Sequence, residues 1–155
     1  MTHFATESSA CQDIWPLPAP LVTCQRSLPG DAASAGVARA LVRRELLRWG
    51  ADELIDDCSL IVTELVTNAI RHARSALVLR MSTDGLWIYG EVFDEGDDMP
   101  CASNGGLDAT GGRGLLIVGG LAEEWGAAAM PEGGKIVWFR MSCPRPGRNR
   151  VINLV

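Results

Sequence analysis

From Leu54 onward the apolar residues Leu54, Cys58, Ile61, Val62, Leu65 and Ala69 recur at spacings of three and four. At about 100° per residue they fall on one stripe, which predicts an amphipathic helix opening near Ala51-Asp52. Glu64 and Asn68 stand one turn apart on a border of that stripe, with Arg71 beside them. His72 falls inside the stripe near the helix end, as a core or capping side chain or a catalytic one. A carboxylate and a carboxamide beside a buried face are costly unless something polar meets them.

On either side of this helix the pattern alternates. Residues from Leu21 to Leu28 predict an edge strand closed by Pro29-Gly30. Asp31 then caps a helix over Ala32 to Trp49, with Val37, Ala40, Leu41 and Leu47 on its apolar face. Its arginines, Arg39, Arg43, Arg44 and Arg48, make a solvated face or a partner surface, and Gly50 stops it. Leu77, Leu79 and Met81 alternate with Ala76, Val78 and Arg80, and Asp84-Gly85 predicts a two-residue hairpin. In the next strand Leu86, Ile88, Gly90 and Val92 share a parity that Asp94 continues, so a carboxylate ends the inward-facing row.

Residues 95–111, rich in Gly, Asp, Ser and Asn, predict a lid or a disordered loop. They lead into Gly111-Gly112-Arg113-Gly114 and the helical run Leu115, Leu116, Val118, Leu121. Glycines at a helix start let backbone N–H groups approach an anion, and the helix dipole favours negative charge there. Two strands close the pattern, Trp125 to Met130 and Lys135 to Ser142, joined by Pro131-Glu132-Gly133-Gly134. Val137, Phe139 and Met141 share one face of the last strand. The chain thus divides into a flexible N-terminal arm (1–20), one domain (21–142) and a tail with a modest basic bias (143–155).

Composition narrows the class. A chain of 155 residues, 47% hydrophobic and 21% charged, suits one soluble globular domain. A net charge of −5 argues against general affinity for nucleic acid or an anionic membrane. There is no apolar run long enough to span a bilayer and no secretory signal pattern. Cys11, Cys24, Cys58, Cys101 and Cys143 are odd in number and contain no CxxC, which points to reduced thiols and a cytoplasmic setting. His3 and His72 are too few for a histidine metal site. Gly133-Gly134-Lys135 is followed by Ile136, so there is no P-loop, and no GxGxxG follows the first strand.

The remaining chemistry fits a magnesium nucleotide. Mg²⁺ takes oxygen ligands and commonly uses one or two from protein together with phosphates, a role that suits Asn68. Glu64 can orient or deprotonate the attacking hydroxyl or water. Asp94 can accept a hydrogen bond from an exocyclic amine that adenine has and guanine lacks at that position, which predicts a preference for adenine. Gly96 lets a base pack close to the backbone. Arg113 either neutralises phosphate charge or faces solvent.

ELVTNAIRHA (Glu64 to Ala73) resembles the N-box, E-x-x-x-N, of the histidine-kinase-like, or GHKL, ATPase superfamily. Val-Phe-Asp94-Glu-Gly96 resembles its G1 box and Gly112-Arg113-Gly114-Leu115 its G2 box, in the same order and spacing, over roughly residues 21–142. Within the superfamily the chain looks most like small stand-alone anti-sigma-factor serine kinases. The resemblance implies an α/β (α+β) two-layer sandwich of the Bergerat ATP-binding type, with about three helices on one face of a mixed, mostly antiparallel sheet. It implies ATP and Mg²⁺ as cofactors, with Asn68 as metal ligand, Glu64 as catalytic base, Asp94 and Gly96 at adenine, and Gly112, Arg113, Gly114 and Leu115 at the phosphates. It further implies γ-phosphoryl transfer to a serine of an anti-sigma-factor antagonist, sequestration of a sigma factor, and a homodimer. The alternative is a catalytically weak or inactive module that switches partners by binding alone. One departure stands out: the superfamily often has a threonine after the glycine of the last strand, where Lys135 and Ile136 stand here. No phosphoacceptor-histidine helix pair is present, so an autophosphorylating sensor kinase is not expected.

Overall fold

The stripe that begins near Leu54 becomes the central helix. The computed structural model describes residues 22–73, 75–100 and 112–144. In chain order they form β1 (Val22–Leu28), α1 (Ala33–Arg48), a 3₁₀ turn (Asp52–Leu54), α2 (Ile55–Ala73), β2 (Leu77–Thr83), β3 (Trp87–Asp94), α3 (Gly112–Leu121), β4 (Glu124–Ala129) and β5 (Lys135–Ser142). The expected arm, the part of the expected lid from 101 to 111, and the tail beyond 144 lie outside the described residues.

The strands make one sheet in the order β1-β2-β3-β5-β4. All four pairings are antiparallel, which sharpens the expectation of a mixed sheet. Alternate strand residues Leu77, Leu79, Met81, Ile88, Val92, Val137, Phe139 and Met141 share one buried cluster with side chains from all three helices. The helices therefore cover one face of the sheet, giving the α+β two-layer sandwich. From α2 the cluster takes Ile55, Cys58, Ile61, Val62, Leu65, Val66 and Ala69. Each large aliphatic side chain in that set contributes about 1.5–3 kcal/mol through burial, so tertiary packing holds the helix.

Three local expectations are corrected. The buried face of α1 is Ser34, Ala38, Leu41, Val42, Glu45 and Leu46, while Ala40 is exposed and Leu47 is 51% exposed. Two adjacent leucines left the rotation ambiguous, and the buried charge of Glu45 hid the true face. Its carboxylate is held by Arg44 Nε at 2.8 Å and Arg48 Nη1 at 2.9 Å, so two of the four arginines reach back to a buried acid while remaining exposed. The N-cap of α1 is Ala32, without a side-chain cap bond, and Asp31 stands one residue earlier, where its Oδ1 accepts from Ala33 N at 3.0 Å. The β2–β3 connection is longer than two residues, because Thr83 pairs with Ile88. Asp84 Oδ1 accepts from both Leu86 N and Trp87 N, and this side-chain bonding replaces a tight turn and leaves Leu86 exposed.

The sheet face away from the helices carries a groove of about 810 Å³ whose lining includes Val78, Arg80, Glu91, Phe93 and Ile136. Among the described residues no helix is long and apolar enough to cross a membrane.

Candidate functional site

Asp94 is the last residue of β3 and Lys135 the first of β5, and the register sets them directly opposite each other. Both side chains are buried, 2% and 4% exposed, and Lys135 Nζ lies 3.0 Å from Asp94 Oδ1. The same carboxylate oxygen accepts from Gly96 N at 2.8 Å, and Nζ also reaches Gly96 O at 3.4 Å. Ile136 pairs with Phe93 and faces the groove on the other side of the sheet. Of the two positions where a hydroxyl was sought, Lys135 is therefore the one on the Asp94 face. Its parity with Val137, Phe139 and Met141 was the sequence signal for a lysine aimed inward; the partner it finds was not in that signal.

Gly96 sits where strand and helix ends converge. A β-carbon there would lie 2.9 Å from Asp94 Oδ1, 3.2 Å from Lys135 Nζ and 3.5 Å from the carbonyl oxygen of His72. The last turn of α2 thus approaches this end of the site through its backbone. The His72 side chain is exposed, not inside the buried stripe, because the helix is ending and its outer side meets solvent.

The other end forms against α3. A β-carbon on Gly114 would lie 2.5 Å from Glu64 Oε2 and 3.6 Å from Asn68 Nδ2. Leu115, 2% exposed, anchors the start of α3 in the core, which holds Gly114 against the acid–amide pair. Arg113 points to solvent, and Gly112 opens the helix. The first turn of α3 has no acidic residue of its own, and the carboxylate that stands against it is that of Glu64 from α2. Glu64 and Asn68 are half-buried, reachable yet partly screened.

The two ends are joined by α2. From Glu64 to His72 the helix rises about 12 Å, so the site is elongated and has unlike ends. One end offers a carboxylate, a carboxamide and a helix N-terminus; the other offers a buried ion pair beside a glycine. Among the described residues no group of three His, Cys, Asp or Glu side chains could by itself hold a metal. A single carboxamide oxygen acting with phosphate oxygens is compatible with that, since Mg²⁺ keeps waters and needs few protein ligands. The groups with raised pKa values lie elsewhere: burial pushes the Cys58 thiol up to about 12, and burial and then Asp84 push the Tyr89 hydroxyl up to about 12.

A core helix with an acid–amide pair, a glycine-led helix N-terminus and a strand-end aspartate, brought together on this sandwich, mark a nucleotide-binding domain of the ATPase class. Residues 28–141 match the histidine kinase-like ATPase domain, and the chain belongs to that family. A solved structure of the RsbU and RsbW domains of Rv1364c from Mycobacterium tuberculosis is similar to it, with a TM-score of 0.60 and 24% identity. The likeness covers 82% of this chain and 34% of that one, so this chain spans about a third of the larger molecule. No curated protein matches.

Proposed function

We propose that the chain is an ATP-dependent protein serine kinase that acts as an anti-sigma factor, phosphorylating an anti-sigma-factor antagonist and sequestering a sigma factor. The observation that carries this reading is the approach of Gly114 to Glu64 and Asn68, which puts a candidate base, a candidate metal ligand and a phosphate-binding helix N-terminus in one place. The family supports ATP as the ligand, and the likeness to a structure that includes an RsbW domain supports partner switching.

In this reading Asn68 Oδ1 holds Mg²⁺, and the backbone N–H groups from Gly112 to Leu115 hold the phosphates. Magnesium, when bound, offsets the charge on the phosphate oxygens. Glu64 takes the proton from the acceptor serine as its oxygen bonds to the γ-phosphorus, and ADP leaves with the bridging oxygen. Asp94 and Gly96 receive the base at the far end. Arg113, exposed in the first turn of α3, offers its charge to the phosphates from the solvent side. The protein works as a homodimer in the cytoplasm, with no direct nucleic-acid contact and no membrane contact.

The test is transfer of radiolabelled phosphate from ATP to a purified antagonist protein, with Glu64→Gln as control. The expected result is transfer by the parent and a loss of about 10²-fold or more in the variant, with ATP affinity kept. Full transfer by Glu64→Gln would remove Glu64 from the role of base. Partner binding and ATP binding without any transfer would assign the chain to a switching module that works by binding alone.

A further inference from the structure

Asp94 alone would discriminate between bases in a simple way. A carboxylate is acceptor-only, so it rewards an amine and opposes a carbonyl oxygen at the same place on a purine. In this chain the carboxylate does not stand alone. Lys135 Nζ is 3.0 Å from its Oδ1, and both side chains are almost wholly buried. Gly96 N fills a second direction on that same oxygen.

We propose that Lys135 sets base selectivity at this site, turning an adenine-selective carboxylate into a donor–acceptor pair that takes 6-oxopurine and 6-aminopurine nucleotides alike. This rests on the nucleotide-binding reading above. A lysine ammonium has three donors. One is directed at Asp94 Oδ1 and a second at the carbonyl of Gly96, 3.4 Å away. Among the described residues neither the third donor nor Asp94 Oδ2 has a partner, which leaves one donor and one acceptor side by side for a ligand.

The edges of both purines match that pair. Adenine presents its N6 amine as donor and N1 as acceptor. A 6-oxopurine presents N1–H as donor and O6 as acceptor, the same two functions in reversed order. Without a donor at position 135, the O6 of guanine or hypoxanthine would face a carboxylate with nothing to meet it, and an unmet buried polar group is the kind of penalty that discriminates strongly. The lysine removes that penalty. It also removes the advantage of adenine, because the N6 amine must share Asp94 with a charged donor that is already in place.

The experiment is calorimetric titration of the full chain with ATP, GTP and ITP in excess Mg²⁺, repeated on Lys135→Thr and Lys135→Met, with thermal melts to verify folding. The parent is expected to bind the three nucleotides within about threefold of one another. Both variants are expected to favour ATP over GTP and ITP by about tenfold or more. A parent that prefers ATP by tenfold or more overturns the proposal while leaving the nucleotide-binding reading in place, and this arm needs no variant to fold. Equal ratios in parent and folded variants overturn it as well. A parent that binds none of the three overturns both readings.

Discussion

Gly114 meets Glu64 so closely that a single added carbon, placed as a β-carbon, would come to 2.5 Å from the carboxylate oxygen. The atom in the way is the far end of a flexible side chain, and an alanine within a helix is favoured over glycine by about 0.5–1 kcal/mol. Gly114→Ala is therefore expected to fold and to melt within about 4 °C of the parent. Its Glu64 carboxylate is displaced, and misplacement by about 1 Å can cost roughly a hundredfold in rate. A drop of about tenfold or more in phosphoryl transfer, with the melting point held, is the expected outcome. Unchanged transfer would separate Glu64 from the chemistry.

Asn68 offers the complementary test. Its side chain is half-buried beside the core stripe, so truncation opens no fully enclosed cavity. Asn68→Ala is expected to keep its circular-dichroism spectrum and to lose Mg²⁺-dependent ATP binding by calorimetry. Unchanged affinity in that variant would refute the metal-ligand role.

The turn before β5 packs against Asp94. Gly133 and Gly134 both have positive φ, +100° and +81°. A β-carbon on Gly134 would collide with the carbonyl oxygen of Asp94 and approach the Phe93 ring, whereas one on Gly133 would meet open space. Gly133→Ala is expected to cost about 1 kcal/mol in urea denaturation from its backbone conformation alone, and Gly134→Ala about 2 kcal/mol or more. Equal losses at the two positions would show that the close approach to Asp94 is not tight.

Alkaline stability follows from Cys58. Burial raises its thiol from 9.0 to about 12, so the folded chain holds that proton where the unfolded chain releases it. The resulting stability is complete below pH 9.0 and is lost as the pH rises toward about 12. Tyr89, raised from 10.0 to about 12, adds to the decline in the upper part of that window. Between about pH 8 and about pH 10.5 the parent should lose roughly 1–2 kcal/mol more than Cys58→Ala does. Parallel declines in the two proteins would contradict this.

Much of the frame was legible because side-chain direction is a local property. The three- and four-residue spacing from Cys58 to Ala69 specified the buried face of α2, and the parity of Ile88, Gly90 and Val92 carried Asp94 inward. The face of α1 was misread because a buried acid, Glu45, is satisfied by Arg44 and Arg48 from its own helix, an arrangement that looks like solvated surface in a linear pattern. The length of the β2–β3 connection was misread because Asp84 bonds two backbone N–H groups. The closeness of Gly114 to Glu64, and of Lys135 to Asp94, depends on packing between segments far apart in the chain. Motif order hinted at the first of these contacts; spacing alone specified neither.

Asp94 and Lys135 are 41 positions apart, and α3 and β4 lie between them. Bringing those two ends together costs chain entropy that grows as the logarithm of the loop length, and contacts of high sequence separation lag behind local ones during folding. The acid–amide helix and the β2–β3 hairpin can form from neighbouring sequence, but the Asp94–Lys135 pair needs β5 to close the loop. During synthesis a chain of this kind therefore displays Glu64 and Asn68 long before Asp94 meets its lysine, and the proposed base end is complete only with the last strand.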